Sequence, residues 1–327
     1  MAKRNLNKQQ LRNIKAHKAL TEDLLLATEG LVISNRGKLI ELETNEGAII
    51  FCLFRQNLGA IVAGDKVLHS RQKNGKHGII CQILPRKNSL IRPQKLSHNN
   101  KIIAANIDQI IIMLAINPAP IEHYIDRYLV AAHHMAIKPI IVINKMDLFT
   151  NAENKAQIKA IISLYREINY GHTICCSALH HNNSQELKML LAHKTSIIVG
   201  QSGVGKSEML NTLFGANVTI TGKVSEQNSR GKHTTTTSQL FHLDQDTKII
   251  DSPGIREFGI WHLDKSDIFL GFKEFRQLEI DCKFRNCAHF QNTTGCAINQ
   301  AVKAGKINKQ RFINYHRLIQ EYLEHKN

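Results

Sequence analysis

The sequence is 327 residues long, enough for two or three domains with cores of their own. Hydrophobic residues make up 43% and charged residues 21%, and no apolar run approaches the roughly 20 residues that span a bilayer, so composition argues against a membrane protein. The formal net charge of +16 indicates a polyanionic partner, although excess charge can also serve solubility alone.

The N-terminus and the cysteines both indicate a reducing compartment. The first ten residues, MAKRNLNKQQ, lack the apolar core of a signal peptide. The cysteine count of seven is odd, and four of these residues lie in apolar runs, as is typical of free thiols: Cys52, Cys81, Cys175 and Cys176. We therefore expect a cytoplasmic protein with no membrane partner.

The chain begins with a basic segment. Residues 1–18 carry six Lys or Arg side chains, and no acidic residue occurs before Glu22. The segment has no apolar stripe broad enough to fold alone. We interpret residues 1–29 as a flexible basic arm that becomes ordered on nucleic acid.

Short strand patterns with period-two alternation follow, separated by glycine and asparagine turns. They cover Leu31–Ser34, Lys38–Leu42, Ala48–Phe54, Lys66–Arg71 and Gly78–Leu84. Such a series predicts a small closed barrel at residues 30–93, for which an OB-fold is the commonest RNA-facing architecture and an SH3-like barrel the alternative. The basic stretch at residues 71–77 would be a loop at its rim, suited to phosphate contacts.

Strand and helix patterns alternate after a polar, proline-bearing linker at residues 85–100. Strands are predicted at 107–116, 139–143 and 173–176, and helices at 121–135, 154–168 and 185–191. This alternation predicts a mostly parallel sheet covered on both faces. Ligands bind such sheets at the carboxyl ends of the strands.

A phosphate-loop motif, GQSGVGKS, lies between an apolar run and a helix-compatible segment. In the pattern GxxxxGK[ST], Gly200 and Gly205 permit inward-pointing amides, and Lys206 reaches the outer phosphates. The Ser207 hydroxyl can ligate magnesium. The other residues of the predicted phosphate-binding loop, between Gly200 and Gly205, are Gln201, Ser202, Gly203 and Val204. A chance match is the alternative, against which the flanking strand and helix argue.

A base-reading motif, Asn144-Lys145-Met146-Asp147, ends the strand pattern at 139–143. The Asp147 carboxylate can accept hydrogen bonds from N1 and the exocyclic amine of guanine, whereas adenine presents an acceptor at N1. A site built on such a pair rejects the wrong base by roughly 10⁴. Asn144 would orient the base edge, Lys145 would lie along the base plane, and the backbone of Ser177-Ala178 would support O6. These residues predict GTP and GDP as ligands.

Two further segments would complete the site around the γ-phosphate. Asp251 would hold the magnesium shell through water, and the Gly254 amide would meet the γ-phosphate. One of Thr234 to Thr236 should ligate magnesium when GTP is bound, and Thr235 is our candidate among three that the sequence does not separate.

Ile255 follows Gly254, at the position where many GTPases carry the glutamine that orients the attacking water. An aliphatic side chain cannot orient water. Intrinsic hydrolysis is therefore very slow, or another group supplies this function. His233 is the candidate catalytic residue, and a role in loop structure or partner contact is the alternative.

The order of these motifs is unusual, because the base-reading motif and Ser177-Ala178 precede the phosphate loop. The parts of a nucleotide switch are complete but circularly permuted. A kinase or ATPase with the same phosphate loop is a rival interpretation, against which Asn144 and Asp147 argue. A non-catalytic RNA-binding protein tuned by GTP is another, and Ile255 keeps it open.

A cysteine and histidine cluster follows in the pattern CxxxxCxHxxxxxxC: Cys282, Cys287, His289 and Cys296. Three thiolates and one imidazole are the ligands of a closed, structural tetrahedral zinc site, and accidental clustering is the alternative. We predict one structural Zn²⁺ per chain. The stretch at 301–327 is predicted to be helical and partly RNA-facing, with a plain solvated helix pair as the competing interpretation.

The permuted motifs NKMD, SA, GQSGVGKS, GKHTTT and DSPGIREFG, with a barrel before them and the cysteine pattern after them, resemble the RsgA (YjeQ) family of small ribosomal subunit biogenesis GTPases. The segments RPQKLSHNNKIIAANIDQIIIM and IDRYLV are similar as well, so the resemblance covers nearly the whole chain. Permuted GTPases of the large subunit are a nearer rival, but they lack this combination of barrel and zinc pattern.

The resemblance implies a GTPase that binds the 30S ribosomal subunit, contacts 16S rRNA and is stimulated by that particle during late small-subunit maturation. It also implies zinc, and magnesium with GTP. The expected fold is an OB-fold barrel at 30–93, a circularly permuted α/β P-loop GTPase domain at 100–265 and a mainly helical zinc-binding domain at 266–327. We expect a monomer.

Overall fold

Five short strands close into a barrel in the first third of the chain. The computed structural model describes residues 27–71, 76–92, 100–149, 152–168, 170–215, 238–251, 260 and 262–326. The barrel strands are β1 (Thr28–Asn35), β2 (Ile40–Thr44), β3 (Ile49–Phe54), β4 (Lys66–Arg71) and β5 (Gly78–Ile83). A short 3₁₀ turn, Gln56–Leu58, follows β3.

The strand order β1-β2-β3-β5-β4 is closed by pairing of β1 with β4. Strands β3 and β5 run parallel, and the other neighbours run antiparallel. Alternate side chains point inward, so that Val32, Ile40 and Leu42 are fully buried. The predicted closed, OB-like barrel is confirmed.

The chain segment predicted as a plain linker contains a strand, so that part of the prediction was wrong. Strand β6 (Ser89–Arg92) pairs antiparallel with β7 (Lys101–Ala105). Leu90 is buried, and the Asn88 side chain exchanges two hydrogen bonds with the backbone of Ile107, at 2.8 and 2.9 Å. Two adjacent apolar residues, Leu90 and Ile91, between polar neighbours are too short a pattern to predict a strand.

A mostly parallel sheet forms the centre of the molecule in the order β10-β9-β8-β11-β13-β12, and β12 is antiparallel to β13. Its strands are β8 (Gln109–Ala115), β9 (Lys138–Asn144), β10 (His172–Cys175), β11 (Thr195–Gly200), β12 (Gln239–His242) and β13 (Lys248–Asp251). Every residue of β8 is buried, as expected for a strand covered on both faces. The predicted α/β architecture is confirmed.

Helices cover both faces of this sheet: α1 (Glu122–His134), α2 (Ala152–Glu167), α3 (Ser184–Leu191) and α4 (Lys206–Phe214). Helices α1 and α2 share one core with Ile110 and Ile112 of β8, whereas α3 and α4 share a second core with Ile111 and Met113. The two-residue period of the strand therefore sorts its side chains between two cores. A 3₁₀ turn, Met146–Leu148, follows β9.

The C-terminal part of the described chain is helical: α5 (Lys265–Leu270), α6 (Lys273–Glu279), α7 (Ala297–Lys303) and α8 (Lys309–Lys326). One face of α8 buries Phe312, Tyr315, Leu318 and Ile319 in the core that α1 lines. The mainly helical prediction is confirmed, and α8 is a packed helix rather than a free solvated one. Within the described ranges, no helix is long and apolar enough to cross a bilayer.

Candidate functional site

The phosphate-loop motif connects β11 to α4 at the carboxyl end of the central strands. Gly200, Gly203 and Gly205 have φ angles of 147°, 84° and 91°. A Cβ atom on Gly200 would lie 2.2 Å from the carbonyl oxygen of Met113 on the neighbouring strand, and one on Gly205 would lie 2.4 Å from Nδ2 of Asn144. Larger residues at Gly200 and Gly205 would therefore force the loop away from both neighbours.

The Lys206 ammonium folds back over this loop. Its Nζ donates hydrogen bonds to the carbonyl oxygens of Gly200 and Gln201, at 3.0 and 2.9 Å. Ser202 and Ser207 are exposed, whereas Val204 is fully buried and anchors the loop. A cation and the N-terminus of α4 thus lie side by side at this loop, an arrangement that suits an anion.

Asn144 joins three of the predicted motifs. It ends β9 and is 1% exposed. Its Nδ2 donates to the carbonyl oxygen of Val204 at 3.0 Å, and its Oδ1 accepts from the backbone N–H of Ala178 at 2.9 Å. Because both ends of the side-chain amide are used, the base-reading strand, the phosphate loop and the Ser177-Ala178 loop are held in one place.

Asp147 lies beside Ser177. The Ser177 hydroxyl donates a short hydrogen bond to Oδ1 of Asp147. This bond is the main reason that the pKa of Asp147 falls below its ordinary value, with slight burial acting in the opposite direction. The carboxylate is therefore ionised at neutral pH and held in orientation by a donor.

Lys145 adopts the left-handed conformation, with φ of 61°. Its Nζ donates to the carbonyl oxygen of Asn117 at 2.9 Å, and Pro118 lies close to Gly203 of the phosphate loop. The Met146 N–H donates to the carbonyl oxygen of Cys176 at 3.2 Å. The loop at Asn117-Pro118 was not identified from the sequence, because Asn-Pro by itself signals only a turn.

Asp251 is the described member of the predicted γ-phosphate group. It ends β13, which pairs with β11 in parallel register, Ile198 opposite Asp251. Asp251 therefore lies at the carboxyl end of the sheet strands, on the same side as the phosphate loop. The other predicted members, His233, Thr235 and Gly254, lie outside the described residues.

The cysteine and histidine cluster lies between α6 and α7. The candidate ligand atoms of Cys282, Cys287, His289 and Cys296 all lie within 4.8 Å of one another. Nδ1 of His289 is 3.7 Å from Sγ of Cys282 and 3.6 Å from Sγ of Cys296. Three sulfur atoms and one imidazole nitrogen converging on one point fit a tetrahedral ion such as zinc.

The surroundings of this cluster hold its ligands in place. The Ala297 N–H donates to Sγ of Cys282 at 3.4 Å, and the His289 ring stacks on Phe269 of α5 with centroids 5.0 Å apart. Burial lowers the pKa of His289, so the ring is neutral at pH 7, which is the form that ligates a metal. Burial also raises the pKa of Cys287 to about 11, so ion binding would have to displace its proton.

Comparison with known proteins relates this chain to one family of GTPases. The family model described as RsgA GTPase matches residues 83–261. A protein named small ribosomal subunit biogenesis GTPase RsgA from Actinobacillus pleuropneumoniae is 43% identical over 98% of this chain and 96% of its own length. One with the same name from Haemophilus influenzae is 42% identical over 100% of this chain and 98% of its own length.

Two solved structures are similar over most of the chain. YjeQ from Thermotoga maritima superposes with a TM-score of 0.72 at 30% identity, covering 91% of this chain and 99% of that structure. YloQ, described as a circularly permuted GTPase, superposes with a TM-score of 0.68 over 92% of this chain and 96% of its own. Because YloQ is only 24% identical, its similarity shows the fold alone.

Proposed function

Because the chain belongs to the RsgA GTPase family, we propose that it binds the 30S ribosomal subunit and hydrolyses GTP there during late small-subunit maturation. It is a GTP-hydrolysing enzyme, and relatives over nearly its whole length are named for small-subunit biogenesis. The observation that carries the proposed site is the double hydrogen bond of Asn144, which links the base-reading motif to the phosphate loop.

Guanine specificity is assigned to Asp147. Its ionised carboxylate would accept from N1 and the exocyclic amine of the base, and the Ser177 hydroxyl holds one of its oxygens. Lys145 would lie along the base plane, with its ammonium held at Asn117. Met146 would complete the motif through its backbone. The phosphates would lie on residues 200–207, next to the Lys206 ammonium.

The hydrolysis step depends on groups around the γ-phosphate. Ser207 and Thr235 would hold magnesium, with Asp251 acting through water, and the Gly254 amide would contact the γ-phosphate. When bound, magnesium neutralises charge that develops on the phosphates. Since Ile255 cannot orient water, we assign that role to His233. Turnover by the free protein is then slow, and particle binding accelerates it.

The barrel is proposed as a surface for 16S rRNA. Three large apolar side chains project outward from β3: Ile49 is 51%, Phe51 39% and Leu53 45% exposed. The Arg36 guanidinium lies 5.8 Å from the centre of the Phe51 ring. An exposed aromatic ring beside an arginine offers a stacking surface for unpaired bases, and this face of an OB-fold is the one that binds oligonucleotides.

Two acidic side chains of the neighbouring strand β2 have partners within the protein. Glu41 pairs with Arg36 at 2.6 Å, and Glu43 pairs with His242 at 2.7 Å. The net charge of +16 supports attraction to a polyanion over a longer range. The proposed domains are the barrel at 30–93, the GTPase domain at 100–265 and a domain at 266–327 that holds one structural zinc ion. The protein is proposed to act as a monomer.

The experiment that tests this function is steady-state hydrolysis of GTP and ATP by the purified protein, alone and with isolated 30S, 50S and 70S particles. Strong stimulation of GTP turnover by 30S particles, with ATP inactive, is the expected result. Equal use of ATP would overturn the assignment of Asp147. No stimulation by any particle would overturn the assignment of the partner.

A matched pair of variants tests the site. Asn144→Ala leaves two buried backbone groups without partners and should weaken GDP binding by about 30-fold or more. Asn183→Ala is the control, because the Asn183 side chain also bonds a backbone oxygen, that of Cys175 at 2.7 Å, but is exposed. Equal effects of the two substitutions on GDP affinity would argue against the site.

A further inference from the structure

The buried hydroxyl of Thr212 joins the phosphate-loop helix to the loop at Ser177-Ala178. Thr212 lies on α4 and is 8% exposed. Its Oγ1 is 2.9 Å from the carbonyl oxygen of Ala178 and 3.0 Å from that of Glu208 on its own helix. The contact with Ala178 crosses 34 positions of sequence, and none of the nucleotide motifs includes Thr212.

The Ala178 carbonyl belongs to the same peptide unit as the N–H of Leu179. Non-proline peptides in the described chain are trans, so these two groups point in opposite directions. With the carbonyl held toward α4, the Leu179 N–H points away from that helix. The hydrogen bond from Thr212 therefore sets the orientation of a backbone donor.

This donor is available, whereas its neighbour is not. The Ala178 N–H is already donated to Oδ1 of Asn144. The Leu179 N–H has no acceptor within the described part of the chain, and the Leu179 side chain is 61% exposed. Leu179 lies two residues after Ser177, whose hydroxyl donates a hydrogen bond to Asp147. On the guanine edge, O6 is adjacent to the N1 that Asp147 is proposed to bind.

We propose that Thr212 is a positioning residue for guanine recognition, acting by aiming the Leu179 N–H at O6 of the base. The inference rests on the proposed guanine site at Asp147 and adds a residue that no motif identifies. Thr212 does not touch the nucleotide. Through Thr212, the helix α4, which begins in the phosphate loop, also holds the loop at Ser177-Ala178 in place.

The test is the affinity of three nucleotides for the full chain, measured by competition with a fluorescent GDP analogue. GDP carries both O6 and the exocyclic amine, and inosine diphosphate lacks the amine. The diphosphate of 2-aminopurine riboside lacks O6 together with the proton on N1. Thr212→Val removes the hydroxyl and keeps the shape of the side chain. Thr212→Ala also removes the hydroxyl, and alanine has a high helix propensity, so α4 is not weakened. Thr212→Ser keeps the hydroxyl.

A control with the same substitution is available at Thr173. Thr173 is 9% exposed, and its hydroxyl has no hydrogen-bond partner among the residues that the structure describes. Thr173→Val should therefore leave the affinities for all three nucleotides unchanged.

The expected result is that Thr212→Val and Thr212→Ala raise the dissociation constants of GDP and inosine diphosphate by about 3- to 10-fold, the effect of one hydrogen bond. The affinity for the 2-aminopurine nucleotide should not change, and Thr212→Ser should behave as the unaltered protein. An equal loss for all three nucleotides, or no loss in either variant, would overturn the inference while leaving the guanine site intact. An unaltered protein that binds ADP as tightly as GDP would instead overturn the guanine site, and this inference with it.

Discussion

The guanidinium of Arg311 contacts the carboxylate of Asp126 across 185 positions of sequence, and both side chains are fully buried. Arg311 lies on α8 and Asp126 on α1, so this ion pair joins the last helix to the helices that cover the sheet. The arginine also bonds Glu274 of α6, with 2.6 Å between Nε and Oε1. Asp126 accepts further hydrogen bonds from Tyr165 at 2.5 Å and Asn314 at 2.6 Å. The C-terminal helices are thereby bonded to α1 and α2.

Removal of Arg311 should strongly destabilise the fold. Arg311→Met leaves the buried carboxylate of Asp126 and the partly buried carboxylate of Glu274 without their cation and should lower the free energy of unfolding by about 3–5 kcal/mol. Arg317→Met on the same helix is the control. The Arg317 side chain is 58% exposed and its ion pair with Glu321 is long, at 3.6 Å, so the free energy of unfolding should fall by about 0.5 kcal/mol or less. Urea unfolding of both variants measures the difference, and equal losses would show that the buried network is not the cause.

The histidine His262 should make stability depend on pH. Burial is the main cause that lowers its pKa to about 4, and nearby His134 acts in the same direction while Asp267 opposes both. Between the ordinary pKa near 6.5 and this lower value, the unfolded chain binds more protons than the folded chain. Stability should therefore fall as the pH drops through that window, by up to about 1 kcal/mol per pH unit.

The variant His262→Asn should reduce this pH dependence. The measurement is the free energy of unfolding in urea at several pH values between about 4.5 and 7, for the variant and the unaltered protein. The curve of the variant should be shallower, because only the unaltered protein has to keep a buried imidazole uncharged as the pH falls. Parallel curves would mean that His262 is not the group responsible.

Metal content should follow the cysteine and histidine cluster. Cys296→Ser removes one sulfur from the set whose candidate ligand atoms lie within 4.8 Å of one another, and should abolish stoichiometric zinc binding and lower the melting temperature. Cys175→Ser is the control, since Cys175 is a free thiol far along the chain from this cluster. Mass spectrometry for metals should find one zinc ion per chain in the control. Zinc retained by Cys296→Ser would contradict the assignment.

Zinc removal should also affect the response to the ribosomal particle. The segment from Ile255 to Glu279 connects the γ-phosphate region directly to the cluster. If nucleotide state sets the position of the C-terminal domain through this segment, zinc-free protein should lose particle-stimulated hydrolysis. Unchanged stimulation after chelation, with the protein still folded by circular dichroism, would rule out this coupling.

The outer face of β3 should contribute to particle binding and not to nucleotide binding. Phe51→Ala should weaken cosedimentation with 30S particles by about 5- to 100-fold, which corresponds to the loss of one stacked base. Met189→Ala on α3 is the control, because Met189 is a large apolar residue with 66% exposure elsewhere on the surface. The GDP affinity of both variants should be unchanged. Equal particle binding by the two variants would exclude the proposed rRNA surface.

The sequence by itself determined the features that depend on neighbouring residues. Period-two alternation identified the five barrel strands, and the strand, glycine loop and helix around residues 200–207 are readable because the glycines and the apolar runs are contiguous. The spacing from Cys282 to Cys296 predicted the cluster, because one short segment supplies all four ligands. These patterns are local, so one sequence suffices to recognise them.

Only the tertiary structure revealed the contacts that join distant segments. Thr212 and Ala178, Lys145 and Asn117, and Arg311 and Asp126 carry no signal at the level of sequence spacing. A single threonine or arginine on a helix has many compatible surroundings, and which one it meets depends on how the helices pack on the sheet. The strand β6 was missed for the same reason, because its pairing partner and the core around Leu90 come from other parts of the chain.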